Sequence, residues 1–378
     1  MGQVTRSFVR LRTQFDNIGD ALINGELLRR LASESEVYVD ASGCPPVFVD
    51  DVLEVVGQGR RDVHVFRRAG TFRLFTALIR SRARRHRCCY FLLPGGITGE
   101  KSPFAAWRAL AFVQLLRLLK ALGITTCQLG VSYSRLGSRY ARVLARRAEA
   151  IERHYVRDRA TLDYARAHGI RVDGVAPDLA FGLRPVARIT GPHRSCLAFS
   201  FRFDNGRCGL AKRVFDLFQR AVAASGPTVS YRIVSQVRRD DEPLERLYAR
   251  IRERYPELDV DFVRATTIDE GLRAYADVAT IFSNRLHALL MAAAMGAAPV
   301  AVVDPVPDAK IVGLLSDLGL GHCIADVDDD VSAMLAVGPI DPSIFAAQDA
   351  LLRQLIHEMV AGDGRMTVGE PRRSEAGA

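Results

Sequence analysis

Short apolar runs alternate with longer stretches whose apolar residues recur at helical spacing, almost from end to end of the chain. This is the pattern of an α/β protein with parallel sheets, in which each buried strand leads into a helix that covers the sheet. In the first half, strands are predicted at SFVRLR (7–12), EVYVD (36–40), VHVF (63–66), CYFLL (89–93), TCQLG (126–130), HYVRD (154–158) and GVAPD (174–178). The clearest helices between them are Asp20–Ala32, Ala105–Leu122 and Leu136–Ala150.

GLRPVARITGPHRS (182–195) interrupts the alternation with two prolines, two glycines and no period, and reads as a linker. The alternation then restarts with strands at CLAFSF (196–201), VSYRIV (229–234), DVDFV (259–263), VATIF (278–282) and PVAVV (299–303). Helices are predicted at Ala211–Ala224, Glu242–Tyr255, Ile268–Tyr275, 285–295 and Ala309–Leu318. The architecture expected is α/β with two Rossmann-like domains, 1–184 and 185–340, facing a cleft, a closing helix within 341–361 and a disordered tail from 362 to 378.

At 378 residues, 48% hydrophobic and 25% charged, the composition suits two globular domains and excludes a disordered chain. FAAWRALAFVQLLRLLKALG (104–123) is the most hydrophobic helix, but Arg108, Arg117 and Lys120 break it, so it is expected to be a covered core helix. The N-terminal MGQVTRSFVRLRTQFDN carries charges where a signal peptide needs an apolar core, which points to a cytoplasmic chain. Seven scattered cysteines without a CxxC suggest neither a zinc site nor a disulfide framework.

A net charge of +9 favours an anionic partner. Much of it lies in RLFTALIRSRARRHR (73–87) and RYARVLARRAEAIERHYVRDR (139–159), which read either as solvated helix faces or as contacts to the inner membrane surface. No aromatic-interleaved strand or zinc-finger spacing supports a nucleic-acid partner.

Four segments place polar groups at strand ends or helix starts. FDNIGDALINGELL (15–28) brings Asn17 and Asp20 to a helix start, where Asp20 reads as an N-cap or a ligand-facing carboxylate. LLPGGITGE (92–100) runs a strand into Gly95 and Gly96, either a tight turn or a place where backbone approaches a ligand. Arg157 and Arg202 stand at strand ends, as surface ion pairs or as cleft cations. FSNRLHALLMAAAMGAAPVAV (282–302) puts Arg285 and His287 at the opening of an Ala-rich helix, with Ser283 and Asn284 as caps, and Lys310 begins the next helix. A helix N-terminus carries roughly half a positive charge, so these cations there make an anion site. GQGRRD (57–62) lacks the third glycine and preceding strand of a dinucleotide fingerprint.

In order along most of the chain, NIGDALI, PGGI, VRDRATLDYARAHGI, VAPDLAFGL, FSFR, SNRLHALLMAAAMGAAPVAV and Lys310 resemble the polysaccharide pyruvyl transferase family. The resemblance implies a GT-B-like fold without nucleotide sugar, metal or other cofactor. It also implies transfer of pyruvate from phosphoenolpyruvate to two sugar hydroxyls as a cyclic ketal. Many members have Gly where Asp16 stands and three glycines where PGGI has two. The donor, a carboxylate plus a phosphate, calls for several cations, which Arg157, Arg202, Arg285 and Lys310 can supply. His287 is the expected general acid, Asp20 the group that orients or deprotonates the acceptor, and Asn17, Gly95 and Gly96 the acceptor contacts. The family's usual acceptors are lipid-linked oligosaccharides at the cytoplasmic membrane face. Two other readings are a nucleotide-sugar GT-B glycosyltransferase, whose nearest ribose-binding carboxylates would be Asp269 and Glu270, and a non-catalytic scaffold of an exopolysaccharide assembly complex.

Overall fold

The computed structural model describes residues 4–99, 104–183, 195–203, 209–226, 229–304 and 308–362; most of the predicted linker and all but the first residue of the predicted tail lie outside them. The first sheet contains β1 (Thr5–Arg10), β2 (Glu36–Asp40), β3 (Val63–Phe66), β4 (Arg87–Leu92), β5 (Gly95–Thr98), β6 (Thr125–Ser134), β7 (Arg153–Val156) and β8 (Gly174–Val175). Its order is β3-β2-β1-β4-β6-β7-β8, with β5 paired to the far half of β6. The second sheet contains β9 (Cys196–Ser200), β10 (Ser230–Ser235), β11 (Val260–Arg264), β12 (Val278–Ser283), β13 (Ala298–Val302) and β14 (Ile324–Ala325), in the order β11-β10-β9-β12-β13-β14. Neighbouring strands run parallel throughout both sheets. Helices on both faces explain why β9 and β13 are buried at every residue and read as continuous apolar runs.

The crossovers of the first sheet contain α1 (Ile18–Glu34), α2 (Pro46–Val56), α3 (Gly70–Ala83), α4 (Ala105–Ala121), α5 (Ser138–Glu149) and α6 (Arg159–Ala167). Those of the second contain α7 (Leu210–Ser225), α8 (Arg238–Arg254), α9 (Ile268–Ala274), α10 (Leu286–Ala294) and α11 (Ala309–Asp317), followed by α12 (Val331–Leu335) and α13 (Pro342–Ala361). In each sheet the chain winds outward from its first strand, then returns to that strand's other side. The loops after β1 and β4, and after β9 and β12, therefore diverge and leave a crevice at the carboxyl edge.

Helix α13 packs back onto the first domain, where Phe345 meets Phe181 edge-on and Asp349 pairs with the buried Arg30 of α1. The two domains are also stitched at the start of α1 and between α2 and α9. Ile18 N–H donates to the Gln236 carbonyl (3.3 Å), Arg238 N–H to the Asp16 carbonyl (3.2 Å), and Ile268 N–H to the buried Asp51 carboxylate (3.0 Å). Burial pushes the Asp51 carboxyl up to about 6 despite that amide bond.

Four local expectations need correction. Asn17 caps α1, its side-chain oxygen accepting from Gly19 N–H (3.0 Å), and Asp20 lies in the first turn. Arg285 occupies the N-cap position of α10, while Ser283 Oγ accepts from Arg285 N–H (3.0 Å) and Asn284 crosslinks to the Arg202 backbone. Helix α4 is not a covered core helix: one stripe, Ala106, Val113, Leu116 and Leu119, packs inward, and Trp107 and Leu118 are 60% and 56% exposed. GVAPD is a strand only at Gly174–Val175, because Pro177 has no N–H for the ladder and Asp178 caps the 3-10 turn Leu179–Gly182.

Candidate active site

The crevices of the two sheets open onto one cleft of about 1000 Å³. All nine residues singled out in the sequence line it: Asn17, Asp20, Gly95, Gly96, Arg157, Arg202, Arg285, His287 and Lys310. Asn17 and Asp20 come from the β1–α1 junction, Gly95 and Gly96 from β5, and Arg157 from the end of β7. Arg202 follows β9, Arg285 and His287 follow β12, and Lys310 opens α11. The cations thus arrive from the carboxyl ends of strands in both domains. Arg10, Arg12, Arg135, Arg147 and Arg239 join them, against only Asp20 and Asp308 as lining acids among the described residues.

His287 is held between the domains. Its Nε2 faces the buried Asp178 carboxylate at 3.7 Å, and its Nδ1 packs over Gly19, where an added Cβ would lie 2.1 Å away. Asp178 also takes a hydrogen bond from Arg157 Nη1 (2.9 Å) and one from Ala180 N–H (2.9 Å). Burial alone would raise the Asp178 pKa; His287, Arg157 and the Ala180 amide reverse this and hold the carboxyl well below the usual range. An ionised Asp178 therefore orients both the imidazole and the guanidinium.

Arg285 is 11% exposed and pairs through Nη2 with the buried Asp240 of α8. Burial lowers its pKa, with Asp240 opposing and the guanidiniums of Arg202 and Arg239 adding to the effect; an arginine stays charged under such a shift. Asn284 accepts from Arg202 N–H (2.7 Å) and donates to its carbonyl (3.0 Å), fixing the loops after β9 and β12 to each other. Lys310 reaches across to β5, where a Cβ on Gly96 would lie 3.1 Å from its Nζ. Burial first, then Arg157, Arg202 and Arg135, push its ammonium down to about 8. Asp20 accepts from Gln14 N–H (3.2 Å), Asn17 Nδ2 (3.0 Å) and Thr13 Oγ1, so its carboxylate braces the loop before α1.

Sequence reasoning missed Asp178 and Asp240. Asp178 stood inside the quoted VAPD, where an Asp after Pro reads as a turn residue, and Asp240 stood among the charges that open α8. Asp269 and Glu270 do not line the cleft; Glu270 closes the capping box of α9 and Asp269 pairs with Arg273. No group of three or more His, Cys, Asp or Glu side chains converges as a metal site among the described residues.

Two doubly wound sheets facing a cationic cleft, with a C-terminal helix returning to the first domain, define a GT-B-like α/β protein. One solved structure shares the fold. A Listeria monocytogenes protein assigned as a UDP-N-acetylglucosamine 2-epimerase matches with a TM-score of 0.52 and 10% identity, over 95% of this chain and 98% of its own. A mutant Thermobaculum terrenum O-GlcNAc transferase matches with a TM-score of 0.48 and 14% identity, over 96% of this chain and 65% of its own. No curated protein sequence matches. The family model for polysaccharide pyruvyl transferase matches residues 17–304, most of the chain, and the protein belongs to that family.

Proposed function

We propose that the cleft transfers the pyruvyl group of phosphoenolpyruvate to two hydroxyls of a sugar in an exopolysaccharide or cell-wall glycan precursor, forming a cyclic ketal. The observation that carries this reading is the convergence of Arg157, Arg202, Arg285 and Lys310 on the cleft that also presents His287, braced by Asp178. A substrate with a phosphate and a carboxylate matches such a cluster, and bidentate guanidiniums suit both groups.

In this mechanism His287 protonates the methylene carbon of the donor. Asp178, 3.7 Å from Nε2, is the counter-charge of the imidazolium, and we assign the proton given to the donor to Nδ1. The adjacent carbon becomes oxocarbenium-like and takes the first hydroxyl, whose proton passes to His287 and restores the imidazolium. The carbon–oxygen bond to phosphate then breaks, the second hydroxyl closes the ring, and its proton leaves on inorganic phosphate. The arginines stabilise the negative charge gathering on phosphate at that step. Asp20 and Asn17 orient the acceptor at the start of α1, and Gly95 and Gly96 offer it a strand without side chains. A lipid-linked oligosaccharide is the acceptor class we favour.

The test is proton NMR of phosphoenolpyruvate incubated with the protein and a panel of sugars carrying neighbouring free hydroxyls. Loss of the vinyl signals with a new methyl singlet and stoichiometric phosphate supports the reading. Vinyl loss that yields only free pyruvate, or turnover unchanged in His287→Ala, contradicts it.

A further inference from the structure

We propose that the outer face of α3 and α4 docks on an anionic membrane surface. Of the large hydrophobic side chains exposed among the described residues, most lie on these two neighbouring helices or their caps: Phe72, Ile79, Phe104, Trp107, Leu118 and Leu122. Phe72 and Ile79 are seven residues apart on α3, and Phe104, Trp107, Leu118 and Leu122 repeat at helical spacing, so each set forms one stripe. Both helices rest on the same side of the first sheet, where Leu74, Leu78, Leu116 and Leu119 share a core with Phe8 and Tyr90. The two exposed stripes are therefore parts of one face. Clustered exposed apolar side chains of this size mark an interaction surface.

Charge identifies the occupant. Neither helix contains an Asp or a Glu, and their exposed faces carry Arg73, Arg80, Arg117 and Lys120, while Arg139 of α5 lies over the Trp107 ring at 5.7 Å. Bulky apolar groups framed by cations and free of acids suit the headgroup region of an anionic bilayer. A second copy of the chain fits poorly, because a two-fold contact through this face would set arginine against arginine. Helix α4 also carries Phe112, which lines the cleft, so docking would bring the cleft wall to the lipid surface. The membrane contact stands apart from the donor reading and can fail or hold without it.

Trp107 is the single tryptophan of the chain and reports on this face directly. The full-length protein is mixed at low salt with vesicles of phosphatidylcholine alone or with added phosphatidylglycerol, and binding is followed by Trp emission and co-sedimentation. The expected result is a blue shift and sedimentation with the anionic vesicles only, weakened by salt and by at least about tenfold in Phe72→Glu/Leu118→Glu, which keeps the reporter. Absence of sedimentation with anionic vesicles, or binding unaltered in the double variant, overturns the proposal. A lipid-free dimer with Trp emission already shifted, dissociated by the same variant, assigns the face to a second copy and overturns it as well.

Discussion

Lys310 offers a test that reads the electrostatics of the cleft without any knowledge of the acceptor. Its ammonium falls from 10.5 to about 8 because it is buried among guanidiniums. At a pH of about 8.5 only about a quarter of Lys310 is therefore protonated in the empty protein. A donor with nearly three negative charges placed beside Nζ restores the proton, so binding takes up about three quarters of a proton at that pH and about a tenth at pH about 7. Isothermal titration in two buffers of different ionisation heat measures this number from the change in apparent enthalpy. Above pH about 8, affinity should fall up to about tenfold per unit. Lys310→Arg, which does not titrate in this range, should abolish both effects. Proton uptake persisting in Lys310→Arg, or absent from the wild type while binding occurs, refutes the placement of the donor next to Lys310.

Four further outcomes follow from the geometry. His287→Ala should fold normally, keep most of its donor affinity and lose transfer by about 10² to 10⁴, measured by initial rates of phosphate release. Gly19→Ala sets a Cβ against Nδ1 of His287 and should lower the rate by about 10² through ring displacement, with donor affinity nearly unchanged by titration. Asp51, raised from 3.8 to about 6, binds more protons folded than unfolded, so stability should decline by about 2 kcal/mol as pH rises from about 4 to about 6; denaturant titrations should show this slope and its loss in Asp51→Asn. Glu26→Ala removes a partner of Arg30, which is 2% exposed, and should cost about 3 kcal/mol in the same assay.

The alternation of apolar runs was enough to reveal the two sheets, because strands covered on both faces cannot hide their composition. EVYVD and VHVF end where β2 and β3 end. Where polar residues are buried in a strand the signal fades: β6 runs on through Ser132 to Ser134, past the predicted TCQLG, since Ser132 looks like a loop residue until the sheet is assembled. The misreading of α4 has the opposite origin. Its apolar residues surround the helix, and periodicity cannot say which side meets the sheet and which meets solvent. His287 and Arg285 were legible because charged groups interrupt an otherwise apolar strand–helix junction. Asp178 and Asp240 were not, because an aspartate at a turn or helix start has an adequate local explanation. Only the docking of one domain on the other sets Asp178 against His287, and only the packing of α8 beside the β12–α10 turn within the second domain sets Asp240 against Arg285.

In the proposed function, the cations between the two sheets hold phosphoenolpyruvate. Isothermal titration of the purified protein with phosphoenolpyruvate, wild type beside Arg285→Ala, tests it most directly, with UDP-N-acetylglucosamine titrated in parallel. One phosphoenolpyruvate per chain is expected for the wild type, with loss of that binding in Arg285→Ala and no heat from the nucleotide sugar. Saturable binding of the nucleotide sugar with none of phosphoenolpyruvate, or equal phosphoenolpyruvate affinity in the two proteins, would contradict it.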